Sequence, residues 1–157
     1  MKSFEEGKIA IRKASPLDFA QIVEVENISF KNPYPPALIL SFLHLHDDSS
    51  FVATANDKII GYVIGARKSK ARGHIVSIAV RPEWRRKGIG SKLMNTLLDL
   101  FKQEGLKFVE LEVAVSNEEA IAFYESLGFR KVGVVKGYYS WGEDAYIMVK
   151  KLQSNMH

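Results

Sequence analysis

The run Arg85-Arg86-Lys87-Gly88-Ile89-Gly90 constrains this chain more than any other stretch. It follows an apolar segment, His74 to Val80, that reads as a strand ended by Pro82. It opens a segment that carries Leu93, Met94, Leu97, Leu98 and Phe101 on one helical face, with Gly105 as its stop. A strand, a glycine turn and an amphipathic helix in that order present the first N–H groups of the helix outward, with the positive end of its dipole behind them. Glycine permits the unusual φ values of such a turn and a close approach of ligand to backbone. This geometry binds phosphate. Arg81, Arg85, Arg86, Lys87 and Lys92 crowd the same region, so the spacing predicts a site for a small polyanion. An ordinary glycine turn before a basic helix is the competing reading. A Walker A loop is excluded, because Gly90-Ser91-Lys92 lacks the earlier glycine, and a Rossmann fingerprint is excluded because Leu93 stands where a third glycine is needed.

Around this turn the chain alternates strand and helix patterns. Lys8 to Arg12 alternates around Ile9 and Ile11. Ser15-Pro16 reads as an N-cap followed by proline at N1, with Leu17, Ile22, Val25 and Ile28 as the helical stripe beyond it. Asn32-Pro33-Tyr34-Pro35-Pro36 must break that helix, because proline lacks the N–H donor and fixes φ. Leu38, Ile39, Phe42 and Leu43 predict a second helix. Residues 51–55 and 59–66 read as a hairpin about Asn56-Asp57-Lys58, and Gly73 leads into the strand before the glycine turn. Residues 108–115 put Val109, Leu111, Val113 and Val115 on one face and Glu110 and Glu112 on the other. Ser116 with Glu119 has the capping-box spacing, Ala120, Phe123, Tyr124 and Leu127 form a helical face, and Gly128 suits its C-terminal stop. Residues 129–135 and 145–150 predict a closing antiparallel pair. The expectation is an α/β (α+β) fold.

Length and composition narrow the class. The 157 residues suit one domain, expected to span 1–157. Apolar residues make up 46% and charged residues 25%, the profile of a folded globular protein. No apolar run approaches the roughly 18 residues of a membrane span, and Met1 to Ala10 has no apolar leader core. With no cysteine there is no disulfide framework and no thiol nucleophile. The expected location is the cytoplasm, without a membrane partner. A tail is expected at Gln153 to His157. The net charge of +4 is mild, and no stacking aromatics interleave with the basic cluster, so a nucleic-acid partner is not expected. Four scattered histidines, with His44 and His46 on a helix surface, give no metal site.

Two stretches together resemble the GNAT acetyltransferases. Arg85-x-x-Gly88-x-Gly90 between strand and helix is similar to their motif A. Leu111-Glu112-Val113 followed by Asn117, Ala120, Phe123-Tyr124 and Leu127-Gly128-Phe129 is similar to their motif B. The resemblance covers nearly the whole chain and is weakest over the first 50 residues. Gly73 to Val80, Lys136-Gly137-Tyr138-Tyr139 and Gly142 to Tyr146 bring it nearest the RimI-type and archaeal N-terminal acetyltransferases. It implies a mixed, mostly antiparallel sheet of about six to seven strands, splayed at its centre between strands ending near Val80 and Val115, and flanked by about four helices. It implies acetyl-CoA as co-substrate, with no metal. The amides of Arg86, Lys87, Gly88, Ile89, Gly90 and Ser91, beside Arg85, would hold the pyrophosphate. The edge Ile78, Ala79, Val80 would pair with pantetheine as an added strand. Asn117 would contact pantetheine or cap the helix after it, and Tyr124 and Ser126 complete the cofactor set.

The chemistry needs a neutral amine and a stabilised thiolate. Glu112 is the candidate base, as RimI-like proteins resemble this chain in carrying a glutamate there; a partly desolvated carboxylate accepts protons well. Glu26, before the Asn-Pro-Tyr-Pro turn, is the second candidate base and a substrate-side residue, with Glu110 as control and bulk solvent the remaining acceptor. Tyr124 is the candidate acid for the departing sulfur. His74 would order a water with Glu112 or join a relay. Tyr34, Tyr138 and Tyr139 would flank the amine, and Asp144 would attract it or cap a turn. The implied substrates are protein or peptide N-termini, nascent chains and ribosomal proteins among them, met by a monomer. The alternatives are a polyamine or amino-sugar acetyltransferase, whose cationic substrate calls for acidic lining, and a non-catalytic acetyl-CoA-binding module.

Overall fold

A computed structural model describes residues 8–153; the expected tail past Gln153 and most of the N-terminal stretch read for a leader lie outside them. The elements are β1 (Ile9–Lys13), α1 (Phe19–Ser29), α2 (Pro36–His46), β2 (Ser50–Ala55), β3 (Lys58–Arg67), β4 (Arg72–Val80), α3 (Ile89–Gln103), β5 (Phe108–Ala114), α4 (Glu118–Ser126), β6 (Arg130–Val135) and β7 (Ala145–Lys151), with short 3-10 turns at Pro16–Asp18, Asp47–Ser49 and Pro82–Trp84. The seven strands follow the order β1-β2-β3-β4-β5-β7-β6. β1 with β2, β2 with β3, β5 with β7 and β6 with β7 are antiparallel, whereas β4 and β5 run parallel. This is the mixed sheet with four helices that the sequence implies.

The chain divides into two compact units. The first holds the described residues up to Ala66 together with Val76–Leu100. Its core gathers Ile22 and Val25 of α1, Ile39 and Leu43 of α2, and Val52, Ile59, Tyr62 and Ile64 of the strands, each at most 1% exposed. The hairpin turns through Asn56 and Asp57, whose φ values of 52° and 67° are those that Asn and Asp tolerate best after glycine. The turn thus has two residues, and Lys58 already belongs to β3. The stripe expected on the first helix is narrower than the spacing implies. Leu17, in the 3-10 turn before α1, is 96% exposed, and Ile28 is 49% exposed. Ser15 caps that turn and Asp18 bonds back to its N–H at 2.9 Å, a capping box one element earlier than the helix proper.

The second unit holds Arg67–Ile75 and the described residues from Phe101 onward. β5 alternates as expected, with Val109, Leu111 and Val113 at most 5% exposed and Glu110 and Glu112 half-buried on the other face. It ends one residue early, although the Val115 N–H still donates to the Asp144 carbonyl at 3.1 Å, the next position of the β5–β7 register. The cap of α4 is Asn117, which accepts from the Ala120 N–H at 3.2 Å, not Ser116, whose N–H and hydroxyl both go to Glu143. Gly73 lies inside β4, and a Cβ there would meet the Phe101 ring at 2.6 Å. Phe101 is fully buried, so the ring cannot give way cheaply. Gly73→Ala should therefore lower unfolding stability by about 1–3 kcal/mol, read as a drop in the urea midpoint; an unchanged midpoint would show that this contact does not set the spacing of strand and helix.

Candidate active site

The glycine turn takes its shape from three backbone choices. Arg85 is extended after the 3-10 turn, Arg86 adopts φ 61° and Gly88 φ 81°. The left-handed conformation costs a non-glycine residue about 1–2 kcal/mol, so Arg86 is held there by the turn around it. The Gly88 carbonyl accepts the first helical bond, from the Lys92 N–H at 3.1 Å. The N–H groups of Ile89, Gly90 and Ser91 therefore begin the helix with no carbonyl a turn earlier to receive them. The dipole adds positive potential at this point. Arg86, Lys87 and Lys92 are exposed beside it.

The expected basic cluster loses one member. Arg81 is only 3% exposed; its Nε donates to the Ile59 carbonyl at 2.7 Å, and its terminal nitrogens pair with Glu24 at 3.2 and 3.3 Å. It braces β3 and α1 and cannot serve an anion. Arg85 is also engaged, with Nε donating to the Val80 carbonyl at 2.9 Å and a terminal nitrogen to Ser29 at 3.3 Å. Along β4, Ala79 is buried while Ile78 and Val80 are half-exposed.

The second unit brings together three of the candidate residues, His74, Glu112 and Tyr138. The parallel ladder pairs Arg72, Gly73 and His74 with Phe108, Val109 and Glu110. In this register the His74 Nε2 lies 2.7 Å from the Glu112 Oε1, so the two side chains are in direct contact. Burial chiefly, then the charge of the nearby Glu112 carboxylate, raises Tyr138 above the usual tyrosine range. Among the described residues no lysine or arginine pairs with Glu112. Glu110, two residues earlier on the same face, is bound by Lys68 at 2.6 Å and Arg72 at 3.1 Å. Burial disfavours its charge, but the bond from Lys68 and the charges of Lys68 and Arg72 outweigh this and hold it below the usual carboxylate range. One strand face thus carries a carboxylate paired with two cations and one that, among the described residues, pairs with an imidazole and lies near a phenol. Sequence reasoning assigned Tyr138 to the amine entrance but missed its proximity to Glu112, since a loop residue 26 positions away leaves no periodic signal.

Tyr124 lies in α4 against Phe123 and Phe129, with ring centroids 5.5 and 6.0 Å apart. Burial pushes its phenol up to about 12, and no hydrogen-bond partner for it is found among the described residues. Asn117 caps the helix that follows it. Ser126 bonds back to the Phe123 carbonyl at 2.6 Å within the helix. The aromatic loop between β6 and β7 is tightly folded. Tyr138 meets Tyr139 edge-on at 4.8 Å, Tyr139 stacks on Trp141 at 4.5 Å, and Asp144 accepts the Gly137 N–H at 2.8 Å. Asp144 therefore caps this turn. Tyr34, in the first unit, packs edge-on against Phe42 at 5.3 Å. Glu26 is 2% exposed, and its carboxylate accepts from the Tyr62 and Ser77 hydroxyls and the Tyr34 N–H. Among the described residues no cluster of three or more His, Cys, Asp or Glu could hold a metal, and no helix is long and apolar enough to cross a membrane.

Residues 19–129 match the Acetyltransferase (GNAT) family, and the chain belongs to that family. It is 37% identical over 154 residues to an N-alpha-acetyltransferase of Saccharolobus solfataricus, covering 90% of this chain and 92% of that one. The crystal structure of Ard1 from Thermoplasma volcanium superposes with a TM-score of 0.89 at 32% identity, over 93% of this chain and 99% of that chain. The ribosomal-protein-S18-alanine N-acetyltransferase from Escherichia coli superposes with a TM-score of 0.83 at 28% identity, over 95% and 99%.

The Tyr124 environment has a measurable consequence. Its folded value of about 12 exceeds the ~10 of an unfolded tyrosine, so the folded protein holds this proton more tightly. The stability it contributes is complete below pH ~10 and is lost as pH rises toward ~12. In Tyr124→Phe the fall of the urea midpoint across that window should be shallower than in the wild type; an equal slope would mean that the phenol is not desolvated.

Proposed function

We propose that this protein transfers the acetyl group of acetyl-CoA to the α-amino group of protein or peptide N-termini. The diphosphate of the cofactor sits on the amides of residues 86–91, and its pantetheine arm pairs with the β4 edge at Ile78 to Val80. The amine nitrogen attacks the thioester carbonyl, the C–S bond breaks, and coenzyme A leaves as its thiol. Glu112, with His74, takes up the proton the amine loses.

The observation that carries this reading is the isolation of Glu112 with His74 and Tyr138 beside a Glu110 already neutralised by Lys68 and Arg72. A carboxylate paired with cations is a poor base, whereas one facing an imidazole and a phenol can exchange a proton. The amine type follows from acidity. An α-amine titrates near 7.7–8.0 and a lysine near 10.4, so at neutral pH the α-amine offers roughly 300 times more neutral nucleophile. A weak base of this kind suits the former. The names of the relatives support the same acceptor, and the aromatic entrance, with Asp144 used as a turn cap, supports a peptide over a polycationic small amine.

Magnitudes also define the role of Tyr124. Full proton transfer from a phenol at about 12 to a thiolate near 8.5 would be uphill by about 5 kcal/mol. Tyr124 therefore stabilises the departing sulfur mainly as a hydrogen-bond donor, and the thiol takes its proton from the amine side or from water.

Incubation with acetyl-CoA and a panel of N-terminal peptides should give products acetylated at the α-amine by mass spectrometry; acetylation of lysine side chains alone would overturn the reading. Tyr124→Phe should lower kcat by about 100-fold with little change in acetyl-CoA affinity, and unchanged turnover would remove Tyr124 from the reaction. Glu112→Gln should flatten the rise of activity with pH, and a wild-type profile would hand proton removal to solvent.

A further inference from the structure

Glu26 is the one acidic side chain among the described residues that is almost wholly buried and has no cationic partner. It is 2% exposed. Asp18, the other buried acid, pairs with Arg12 at 2.9 Å. A carboxylate in this position must be satisfied by neutral donors, and Glu26 has three. Its Oε1 accepts from the Ser77 hydroxyl of β4 at 3.1 Å and from the Tyr62 hydroxyl of β3, and these two hydroxyls lie 3.1 Å apart. Its Oε2 accepts from the backbone N–H of Tyr34 at 2.9 Å.

The last bond has unusual weight because of the sequence around it. In Pro33-Tyr34-Pro35-Pro36 the prolines carry no N–H, so Tyr34 holds the segment's only backbone donor. That donor goes to Glu26. The loop between α1 and α2 is thereby tied, through one side chain, to the two strands that bear Tyr62 and Ser77. Ser77 immediately precedes the β4 edge that takes the pantetheine in the proposed reaction. Tyr34, held by this bond and by its edge contact with Phe42, cannot drift from its place relative to that edge without breaking the network.

We propose that Glu26 is a positioning residue for the acceptor: it fixes the Tyr34 loop against β4 and thereby sets how the substrate amine is received, without exchanging a proton itself. This rests on the reading that Tyr34 flanks the amine. A positioning role needs an acceptor atom at Oε2, whereas a base needs a carboxylate, and amide substitution separates the two. In Glu26→Gln the amide oxygen can take the Tyr34 N–H while its NH2 turns to the Tyr62 and Ser77 hydroxyls, which accept as well as donate. In Glu26→Leu no acceptor remains.

The experiment compares steady-state constants and pH profiles for wild type, Glu26→Gln, Glu26→Leu and Tyr62→Phe with acetyl-CoA and the best N-terminal peptide. Glu26→Leu should raise the peptide KM by about tenfold, the effect of one lost hydrogen bond, with the acetyl-CoA KM within about twofold. Glu26→Gln should keep kcat, peptide KM and pH profile near wild type, and Tyr62→Phe, which leaves the Tyr34 bond in place, should keep the peptide KM. Loss of turnover or an altered pH profile in folded Glu26→Gln would overturn the proposal in favour of a proton-transfer role, and an unchanged peptide KM in Glu26→Leu would overturn it outright. Should Glu26→Leu fail to fold, amide exchange in wild-type protein labelled with 15N-tyrosine decides the tether: a protected Tyr34 amide supports it, and exchange at the unfolded rate refutes it. Acetylation of some other amine by the wild type would count against the acceptor assigned above, while the Tyr34 amide measurement still tests the tether.

Discussion

Three residue pairs, Arg72 with Phe108, Gly73 with Val109 and His74 with Glu110, join β4 to β5 in parallel, and the chemistry of the second unit depends on that register. A slip of one residue would turn His74 to the opposite face and remove it from Glu112. The register is held from behind, where the bare Cα of Gly73 lets the buried Phe101 ring close against the strand. The apolar face of β5 completes the constraint, since Val109, Leu111 and Val113 can only be buried with Glu110 and Glu112 turned outward. A packing requirement on one face of the strand therefore sets where the candidate carboxylate Glu112 lies on the other.

The two glutamates of that face show how environment divides identical side chains between structure and chemistry. Glu110 meets Lys68 and Arg72, and the attraction of these two cations outweighs its own partial burial and favours its charged form. Glu112 meets groups that give or take a proton instead of neutralising it. The division follows from the neighbours, because the strand treats both positions alike.

In the first unit the same economy governs the basic residues. The glycine turn is flanked by many cations, but burial and pairing withdraw Arg81, and Arg85 lies along the strand it follows. The amides at the start of α3, with Arg86, Lys87 and Lys92 beside them, form the positive surface that remains. Glu26 is the counterpart on the acidic side, a charge-bearing side chain withdrawn into the core to hold a proline-rich loop.

What the sequence determined by itself was periodic and local. The alternation of β5, the stripe of α3, the glycine turn with its left-handed Gly88 and the hairpin at Asn56-Asp57 all follow from spacing and from the φ values that glycine, asparagine and aspartate allow. Those features, with motif B, were enough to indicate the family and the candidates Glu112 and Tyr124. Local signals were less sure at element ends, where Ser116 carried a capping pattern but Asn117 made the cap, because Glu143 drew Ser116 away from across the loop. Only tertiary structure decided that His74 touches Glu112, that Tyr138 joins them, and that Arg81 and Glu26 face inward. Each depends on contacts between residues 22 to 57 positions apart, and one chain read in order carries no record of which distant donors a buried polar group will find.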